Sequence, residues 1–297
     1  MRAVIVNGFG GPEVLEVVET AVPEPAAGQL RVRVTATAVN PVDTAVRAGI
    51  FGGAGQPVGF GWDVAGEVDA VGAEVTGFAA GDRVVGLHYG AVKPLGAHAE
   101  YVVLDAAAAA AAPASVDDVR ASVLPLSGLT AARAVAQLGL PAGSSVLVTG
   151  AAGVVGGLAV QLAARAGLVV TALAGAGDEE LVRSLGAAHF VPRDGEPDPV
   201  DGVLDTAVLG ERALGYVKDG GVYVGVHPGA APAAVRGIRV EEQEVAADGA
   251  HLAELAGLVD AGVLDLRVAR TYPLDAAAEA HAEQSKGGVR GRLVLVP

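Results

Sequence analysis

The chain of 297 residues contains no cysteine. This absence excludes disulfide bonds, catalysis by a thiolate and every metal site that uses cysteine ligands. A protein without disulfides suits the reducing cytoplasm, which is the location we expect. Residues 1–8 pass directly into a short strand pattern and lack the layout of a signal peptide.

Positive charge, aromatic side chains and long apolar runs are also scarce. The 20 Lys and Arg face 34 Asp and Glu, and the net charge of −14 repels phosphate backbones, so we expect no nucleic-acid partner. Aromatic residues make up only 4% of the chain and offer few stacking platforms. No apolar run reaches the roughly 18–20 residues that span a bilayer, so we expect no membrane partner either.

The most informative segment that is present is residues 144–167. An apolar run at 146–148 precedes Ala151, Gly153 and Gly156, which form the pattern A-x-G-x-x-G before a stretch with helical spacing. A strand, a small-residue turn and a helix in this order are typical of a dinucleotide-binding βαβ unit. The helix N-terminus then offers N–H groups and a positive dipole end to a pyrophosphate. A tight strand–helix turn in another α/β fold is the alternative.

The first third of the chain has the pattern of a β domain. Residues 1–105 alternate with period two between Gly and Pro breaks, which predicts an antiparallel, turn-rich domain. The clearest strands are predicted at residues 29–38, 64–71 and 83–87. Seven alanines follow at residues 106–112; they suit a helix or a tethered loop and indicate no function.

From residue 115 onward strands and helices alternate, which predicts a doubly wound parallel sheet. The first helices are predicted at residues 117–123 and 129–138, with Ser127 or Thr130 as caps. The next predicted strands and helices lie at 146–148, 158–166, 168–173, 179–185, 188–191, 203–206, 211–217 and 222–226, the last at a sheet edge. A helix at 251–261, a strand at 263–269, a helix around 276–283 and a strand at 292–296 end the chain in a mixed style.

Taken together, these segments resemble the medium-chain dehydrogenase/reductase family, and within it the zinc-free quinone oxidoreductases related to ζ-crystallin. The resemblance covers nearly the whole chain and is carried by residues 40–43 (NPVD), 61–66 (GWDVAG), 77–84 (GFAAGDRV), 126–132 (LSGLTAA), 151–156, 185–187 (LGA) and 289–295 (VRGRLVL). It implies an α/β fold with a GroES-like, mainly β domain at 1–117 and 249–297. A Rossmann doubly wound parallel sheet is implied at 118–248, with NADPH in a cleft between the domains.

The resemblance also implies functional positions. Asn40 and Thr130 match residues that line the nicotinamide and its ribose, and with Tyr89 they are the candidate catalytic residues. The candidate substrate contacts are Phe51, Trp62, His88 and Tyr89. The candidate cofactor contacts are Asn40, Thr130, Gly150, Ala151, Ala152, Gly153, Val154, Val155, Gly156, Ala174, Gly175, Arg193, Ala207 and Val226.

Several of these residues have a structural alternative. Asn40 precedes a proline and suits a turn, and Thr130 suits a helix cap. Asp43 is expected to hold Arg47 across one helical turn. The six histidines, at positions 88, 98, 189, 227, 251 and 281, are scattered, so we expect each to be exposed or a hydrogen-bonded structural residue. Zinc-dependent relatives carry an early Cys and a His-Glu pair where this chain has Trp62-Asp63, and we therefore expect no metal.

Three departures from the family pattern bear on the cofactor and the chemistry. Phe51 stands where the family often places a Tyr, and it donates no proton. The residues after the second Rossmann strand lack the acidic side chain that binds the ribose of NAD, while Gly175 and Asp178 stand where NADPH enzymes usually carry Ser and a basic residue. Arg193 is the remaining candidate for the 2′-phosphate, with pairing to Asp194 as its alternative.

The resemblance therefore implies an NADPH-dependent, zinc-independent reductase that transfers hydride to a quinone or a conjugated enone or enoyl substrate. A redox-silent relative acting as a cyclase or isomerase on a biosynthetic intermediate is the alternative. Asp63 either faces the cleft or braces the turn at residues 61–66. Asp63 and Tyr89 are the candidate proton donors to the enolate that hydride addition to an enone leaves. We expect the enolate to be protonated mainly by solvent. The expected partners are a small conjugated carbonyl compound or quinone and a second copy of the chain, in a homodimer formed through the Rossmann domain.

Overall fold

The structure is a computed structural model that describes residues 1–53 and 55–297. The chain divides into two compact units. Unit 1 comprises residues 1–126, 246–262 and 266–297, and unit 2 comprises residues 127–245 and 263–265. Ala54 lies outside the described residues.

Unit 1 is mainly β, as the alternating pattern predicts. Its strands are β1 (Arg2–Val6), β2 (Glu16–Glu19), β3 (Gln29–Val39), β4 (Val58–Gly59), β5 (Asp63–Val71), β6 (Arg83–Leu87), β7 (Tyr101–Asp105), β8 (Ala109–Ala111), β15 (Val268–Pro273) and β16 (Arg292–Val296). Most of them form one sheet in the order β15-β16-β3-β5-β6-β8, with β7 also paired to β3. The smaller sheet has the order β2-β1-β4. The helices of this unit are α1 (Pro41–Arg47), α2 (Asp118–Ala121), α7 (Gly249–Asp260) and α8 (Ala277–Lys286).

Unit 2 contains a parallel sheet flanked by helices. The strands are β9 (Ser145–Thr149), β10 (Val169–Ala174), β11 (His189–Pro192), β12 (Val200–Asp205), β13 (Val217–Gly225) and β14 (Arg239–Glu242). The helices are α3 (Leu124–Leu138), which begins at the end of unit 1, α4 (Val154–Arg165), α5 (Glu179–Ser184) and α6 (Glu211–Gly215). The strand order β11-β10-β9-β12-β13-β14 is the 3-2-1-4-5-6 order of a Rossmann sheet. Because the order reverses between β9 and β12, the carboxyl ends of these two strands form the topological switch point where ligands bind in such sheets.

The alanine run, expected to be a helix or a tethered loop, is a short 3-10 turn followed by a strand. Residues Ala106–Ala108 form one short 3-10 turn, and β8 then pairs antiparallel with Val84–Gly86 of β6. Alanine carries no strong pattern of its own, so its partner in the sheet decides its conformation.

Two further predicted elements differ from the structure. Helix α3 begins at Leu124, so Ser127 and Thr130 lie inside it and cap nothing; Pro125 fits the first turn of this helix. The strand predicted at residues 263–269 is β15, Val268–Pro273, and only its last two predicted residues are in the strand.

The segment at residues 222–226 is not at the sheet edge. β13 pairs with β12 on one side and with β14 on the other, so β14 is the edge strand. The burial of β13 agrees with its interior position. The side chains are at most 3% exposed at Val222, Tyr223 and Val224, as expected for an interior strand of a parallel sheet.

Candidate cofactor and substrate residues

The glycine-rich turn of unit 2 connects β9 to α4. Gly150 adopts a left-handed φ of +61°, which lets the chain reverse directly after the strand. A Cβ atom on Gly156 would lie 2.3 Å from the carbonyl oxygen of Gly150, so only glycine lets the first turn of α4 pack this closely. The expected roles of the turn therefore have a geometric basis at these two positions.

The start of α4 presents backbone donors. The N–H of Gly153 donates to the carbonyl of Gly150, and the first intrahelical bond runs from the N–H of Gly157 to the carbonyl of Gly153. The N–H groups of Val154, Val155 and Gly156 thus come before the first intrahelical donor, Gly157, in the turn where backbone N–H groups have no acceptor within the helix. This arrangement fits the pyrophosphate of a dinucleotide.

A buried polar network fixes the switch point beside this turn. The Thr149 hydroxyl donates to Asp205 over 2.6 Å, and the Tyr223 hydroxyl donates to the other carboxylate oxygen over 2.8 Å. The Thr206 hydroxyl donates to the carbonyl of Thr149 over 2.6 Å. Burial and the hydrogen bond to Asp205 raise the pKa of Tyr223. The network holds the loop after β12 in place, and the sequence pattern gave no signal for it.

The other predicted cofactor positions in unit 2 lie at strand ends or nearby. Ala174 is the last residue of β10, and Ala207 and Val226 follow β12 and β13. Gly175 donates its N–H to the carboxylate of Asp178 over 3.1 Å, and Asp178 is buried. The carboxylate of Asp178 is therefore turned to the backbone of its own loop, while Glu179 and Glu180 follow it at the start of α5.

Arg193 and Thr130 occupy different environments. Arg193 is exposed in the turn after β11, and its carbonyl accepts a hydrogen bond from Arg212 over 3.1 Å. Thr130 lies within α3 and is 8% exposed.

In unit 1, Asn40 lies in a buried carboxylate cluster. It is the N-cap residue of α1 and is completely buried, and its Nδ2 donates to Asp63 over 2.6 Å. Asp63 also accepts from the N–H of Leu126 over 2.7 Å. Burial raises the pKa of Asp63 to about 7, although these hydrogen bonds favour its charged form. Asn40 therefore holds Asp63, and its predicted contact with the cofactor stays a prediction.

Asp43 and Asp63 correct two sequence predictions. Asp43 does not hold Arg47: its carboxylate accepts from the N–H groups of Asn40, at 2.8 Å, and Gly61, at 3.1 Å. Arg47 donates instead to the carbonyl of Gly10. Asp63 braces Asn40 and Leu126 rather than a turn at residues 61–66, because β5 already begins at Asp63. Asp43 lies in the first turn of α1, and its hydrogen bond to the backbone of the N-cap residue Asn40 takes the place of the predicted ion pair with Arg47.

Three of the predicted substrate residues of unit 1, Trp62, His88 and Tyr89, form one cluster around Lys93. The rings of Trp62 and Tyr89 meet edge to face with centroids 5.3 Å apart. Lys93 lies over the Trp62 ring at 5.0 Å and donates to the carbonyl of His88 over 2.6 Å. Burial and the charge of Lys93 lower the pKa of His88 to about 3, so this imidazole is neutral. Phe51 is 49% exposed on the loop before β4.

Sequence reasoning missed Lys93, because no motif marks it and its neighbours lie in three different segments. The lysine is half-buried. Burial lowers the pKa of Lys93 to about 7, while the carboxylates of Asp43 and Asp63 favour its charged form.

The expectation that each histidine is exposed or hydrogen-bonded holds for His98, whose Nε2 lies 3.1 Å from the carbonyl oxygen of Ala38, but not for His281. His98 and His281 are fully buried with ring centroids 5.5 Å apart, and the rings of Phe60 and His281 are nearly perpendicular with centroids 5.7 Å apart. Within residues 1–53 and 55–297, neither ring nitrogen of His281 has a hydrogen-bond partner. In the same part of the chain, no group of three or more His, Cys, Asp or Glu is placed to hold a metal ion.

Comparison with known proteins identifies the family. Residues 26–114 match the alcohol dehydrogenase GroES-like domain, and residues 176–295 match the model described as zinc-binding dehydrogenase. A 2-methylene-furan-3-one reductase from Solanum lycopersicum is 32% identical, over 100% of this chain and 79% of the relative. A quinone oxidoreductase from Pseudomonas aeruginosa is 31% identical, over 97% of each protein. The solved structure of Escherichia coli quinone oxidoreductase complexed with NADPH superposes with a TM-score of 0.88, at 27% identity and with 100% of both chains covered.

A GroES-like unit and a Rossmann unit with a glycine-rich turn define a protein of the medium-chain dehydrogenase/reductase class. The chain belongs to this family, in its quinone oxidoreductase branch, which confirms the resemblance predicted from the motifs. No helix of the described residues has both the length and the apolar character to cross a membrane.

Proposed function

We propose that the chain is a cytoplasmic, NADPH-dependent reductase that transfers hydride to a quinone or to a conjugated enone. The observation that carries this proposal is the tight turn between β9 and α4. A Cβ atom at position 156 would lie 2.3 Å from the carbonyl oxygen of Gly150, so the turn has room for a glycine only. Two of the relatives carry the names quinone oxidoreductase and 2-methylene-furan-3-one reductase, which supports the substrate class.

NADPH, when bound, supplies a hydride to an electron-poor carbon of the substrate. Residues 150–156 would hold the pyrophosphate, with the first N–H groups of α4 as donors. Ala174, Gly175, Ala207 and Val226 would border the cofactor at the strand ends, and Asn40 and Thr130 would position the nicotinamide. The polar network around Asp205 keeps the switch point rigid for this purpose.

The first test of the function is turnover with defined acceptors. Purified protein is mixed with NADPH and either benzoquinone or a short-chain conjugated enone, and the loss of NADPH absorbance is followed. We expect turnover with at least one acceptor and no loss of rate with EDTA, because the chain has no cysteine and the described residues contain no metal-binding group. NADPH binding without any turnover would favour the redox-silent alternative, and a loss of rate that zinc restores would overturn the zinc-free mechanism.

The preference for NADPH is proposed to depend on Arg193. Asp178 is turned to the backbone N–H of Gly175 and Glu179 pairs with Arg183, so both of these carboxylates after β10 already have partners. A charge-assisted phosphate contact contributes roughly 1.5–3 kcal/mol. Arg193→Ala should therefore narrow the ratio of NADPH to NADH affinity by about tenfold to a hundredfold, measured by fluorescence titration of both cofactors.

Arg165→Ala is the matched control for this experiment. Arg165 is exposed at the other end of α4, where it is the last residue of the helix, and its loss removes the same charge from the same unit. The control should leave the ratio unchanged. An unchanged ratio in Arg193→Ala would remove Arg193 from the cofactor site.

A homodimer is proposed to form through β14. β14 pairs only with β13 within the six-stranded sheet, and an unpaired strand edge invites pairing with a second copy. Light scattering at micromolar concentration should give the mass of a dimer, and Val240→Asp, at the centre of β14, should shift it toward the monomer. Val169→Asp, at the exposed start of the interior strand β10, should not. A monomeric wild-type protein would contradict the proposal.

A further inference from the structure

Lys93 is positioned by its own loop, which follows β6, and by Trp62, which lies between β4 and β5. The loop after β6 carries His88, Tyr89 and Lys93, and the ammonium of Lys93 is anchored on the carbonyl of His88 at 2.6 Å and on the ring of Trp62 at 5.0 Å. The N–H of Gly59 donates to the carbonyl of Lys93 over 2.8 Å, which ties the loop to β4. The backbone and the side chain of this lysine are therefore both positioned by the fold.

The ammonium retains donors for a ligand. Within residues 1–53 and 55–297, its one hydrogen bond goes to the carbonyl of His88, so two of its three N–H groups remain available. The carboxylates of Asp43 and Asp63 are near enough to favour the charged form, yet each is already engaged with backbone or amide donors. A cation with unused donors in a half-buried place suits an oxygen that becomes negative during a reaction.

We propose that Lys93 binds the carbonyl oxygen of the substrate and donates the proton that this oxygen takes up after hydride transfer. The proposal rests on the proposed function, since a reduced nicotinamide cofactor supplies the hydride. The hydride forms a C–H bond at the carbon β to the carbonyl. The electron pair displaced from the carbon–carbon double bond shifts through the conjugated system to the carbonyl oxygen. One Nζ–H bond of Lys93 breaks as the O–H bond forms, and the neutral amine recovers a proton from water.

The neighbouring side chains are less suited to this step. Phe51 has no proton to donate, and the imidazole of His88 is neutral with its pKa lowered to about 3. Asp63 is completely buried against Asn40 and Leu126. Burial has lowered the pKa of Lys93 to about 7, which matches a group that gives up a proton near neutral pH. Lys93 thus replaces the solvent protonation expected from the sequence.

The single tryptophan of the chain permits a test without substrate or cofactor. Trp62 is the only Trp, and its ring lies under Lys93, so its fluorescence should change as Lys93 loses its proton. We expect a transition with a midpoint near pH 7 that is absent in Lys93→Met. Asp63, whose pKa is also near 7, and His88 and Asp43 face the same region, so Asp63→Asn is the matched control. The transition should persist in Asp63→Asn at a lower midpoint; persistence in Lys93→Met with loss in Asp63→Asn would overturn the assignment.

A phenolate tests the oxygen-binding role. Dinitrophenolate carries a negative oxygen conjugated to a ring and stays ionised near pH 6, where Lys93 is charged. Its affinity, followed by its absorbance, should fall about tenfold or more in Lys93→Met and be retained in Lys93→Arg. Equal affinity in wild type and Lys93→Met would contradict the proposal.

Turnover separates this inference from the proposed function. Lys93→Met should lower kcat by roughly a hundredfold to a thousandfold, and Lys93→Arg should not restore it, because a guanidinium does not release a proton near neutral pH. Tyr89→Phe should lower kcat less than tenfold; a larger fall there with Lys93→Met unaffected would make Tyr89 the donor. If the wild-type protein oxidises no NADPH with either acceptor, the proposed function fails, while the fluorescence and phenolate results still decide the role of Lys93.

Discussion

Replacing Gly153 by valine is expected to weaken NADPH binding about a hundredfold or more while unit 2 stays folded. A Cβ atom at this position meets only the carbonyl oxygen of Gly150, at 3.1 Å, and the φ of −70° suits any residue. The branched side chain would instead cover the first N–H groups of α4, where the pyrophosphate is proposed to bind. Loss of one or two charge-assisted hydrogen bonds corresponds to roughly 3 kcal/mol or more.

The control separates binding from folding. Gly215 is exposed at the end of α6, before the start of β13, and no atom lies within 4 Å of a Cβ placed there. Gly215→Val should bind NADPH like the wild type in a fluorescence titration. If Gly153→Val also binds NADPH as tightly as the wild type, while both variants keep their circular dichroism, the cofactor site lies elsewhere.

The second large effect expected is on the stability of unit 1 in mild acid. Burial lowers the pKa of His281 well below its usual value, and the neighbouring His98 adds to this, so the folded protein keeps the ring neutral. Below about pH 6.5 the unfolded chain binds a proton that the folded chain does not. Since stability rises with pH wherever the unfolded state binds more protons, His281 lowers the free energy of unfolding as the pH falls from 7 to 5.

His281→Phe should remove this contribution. The loss of unfolding free energy between pH 7 and 5, measured by urea titration with Trp62 fluorescence, should be smaller by about 1–2 kcal/mol than in the wild type. The carboxyl group of Asp63 acts in the opposite direction, because its pKa is raised to about 7, but it is present in both proteins and cancels. His189→Gln, at an exposed position on β11, should leave the pH dependence unchanged. An equal pH dependence in His281→Phe and wild type would refute the explanation.

Much of the fold could be predicted because local pattern and tertiary structure agree. The strands at residues 29–39, 63–71 and 83–87 alternate as half-buried strands do, and the turn at 150–156 carries its own geometric demand for glycine. The alanine run carries no such information, since its strand is decided by pairing with β6. The edge of the parallel sheet was also misplaced, because an apolar run alone does not say which strand lies outside it.

Candidate functional side chains can be named from the sequence only where a motif marks them. Trp62, His88 and Tyr89 are candidates by the resemblance, and the structure brings the rings of Trp62 and Tyr89 into contact. Lys93 joins them through the folding of a loop, and the His98–His281 contact joins residues that lie far apart in the sequence. Such contacts depend on the sheet, and no local pattern of the chain encodes them.

The most direct test of the central proposal is the fate of the transferred hydrogen. NADPH carrying deuterium at the transferable position is incubated with the protein and a conjugated enone, and the product is examined by mass spectrometry and NMR. The proposed function predicts a saturated ketone with deuterium on the carbon β to the carbonyl, and much less of it when Gly153→Val is used at the same subsaturating cofactor concentration. Recovery of unchanged enone together with no reduction of benzoquinone, or of a rearranged product without deuterium, in the presence of bound NADPH would contradict it.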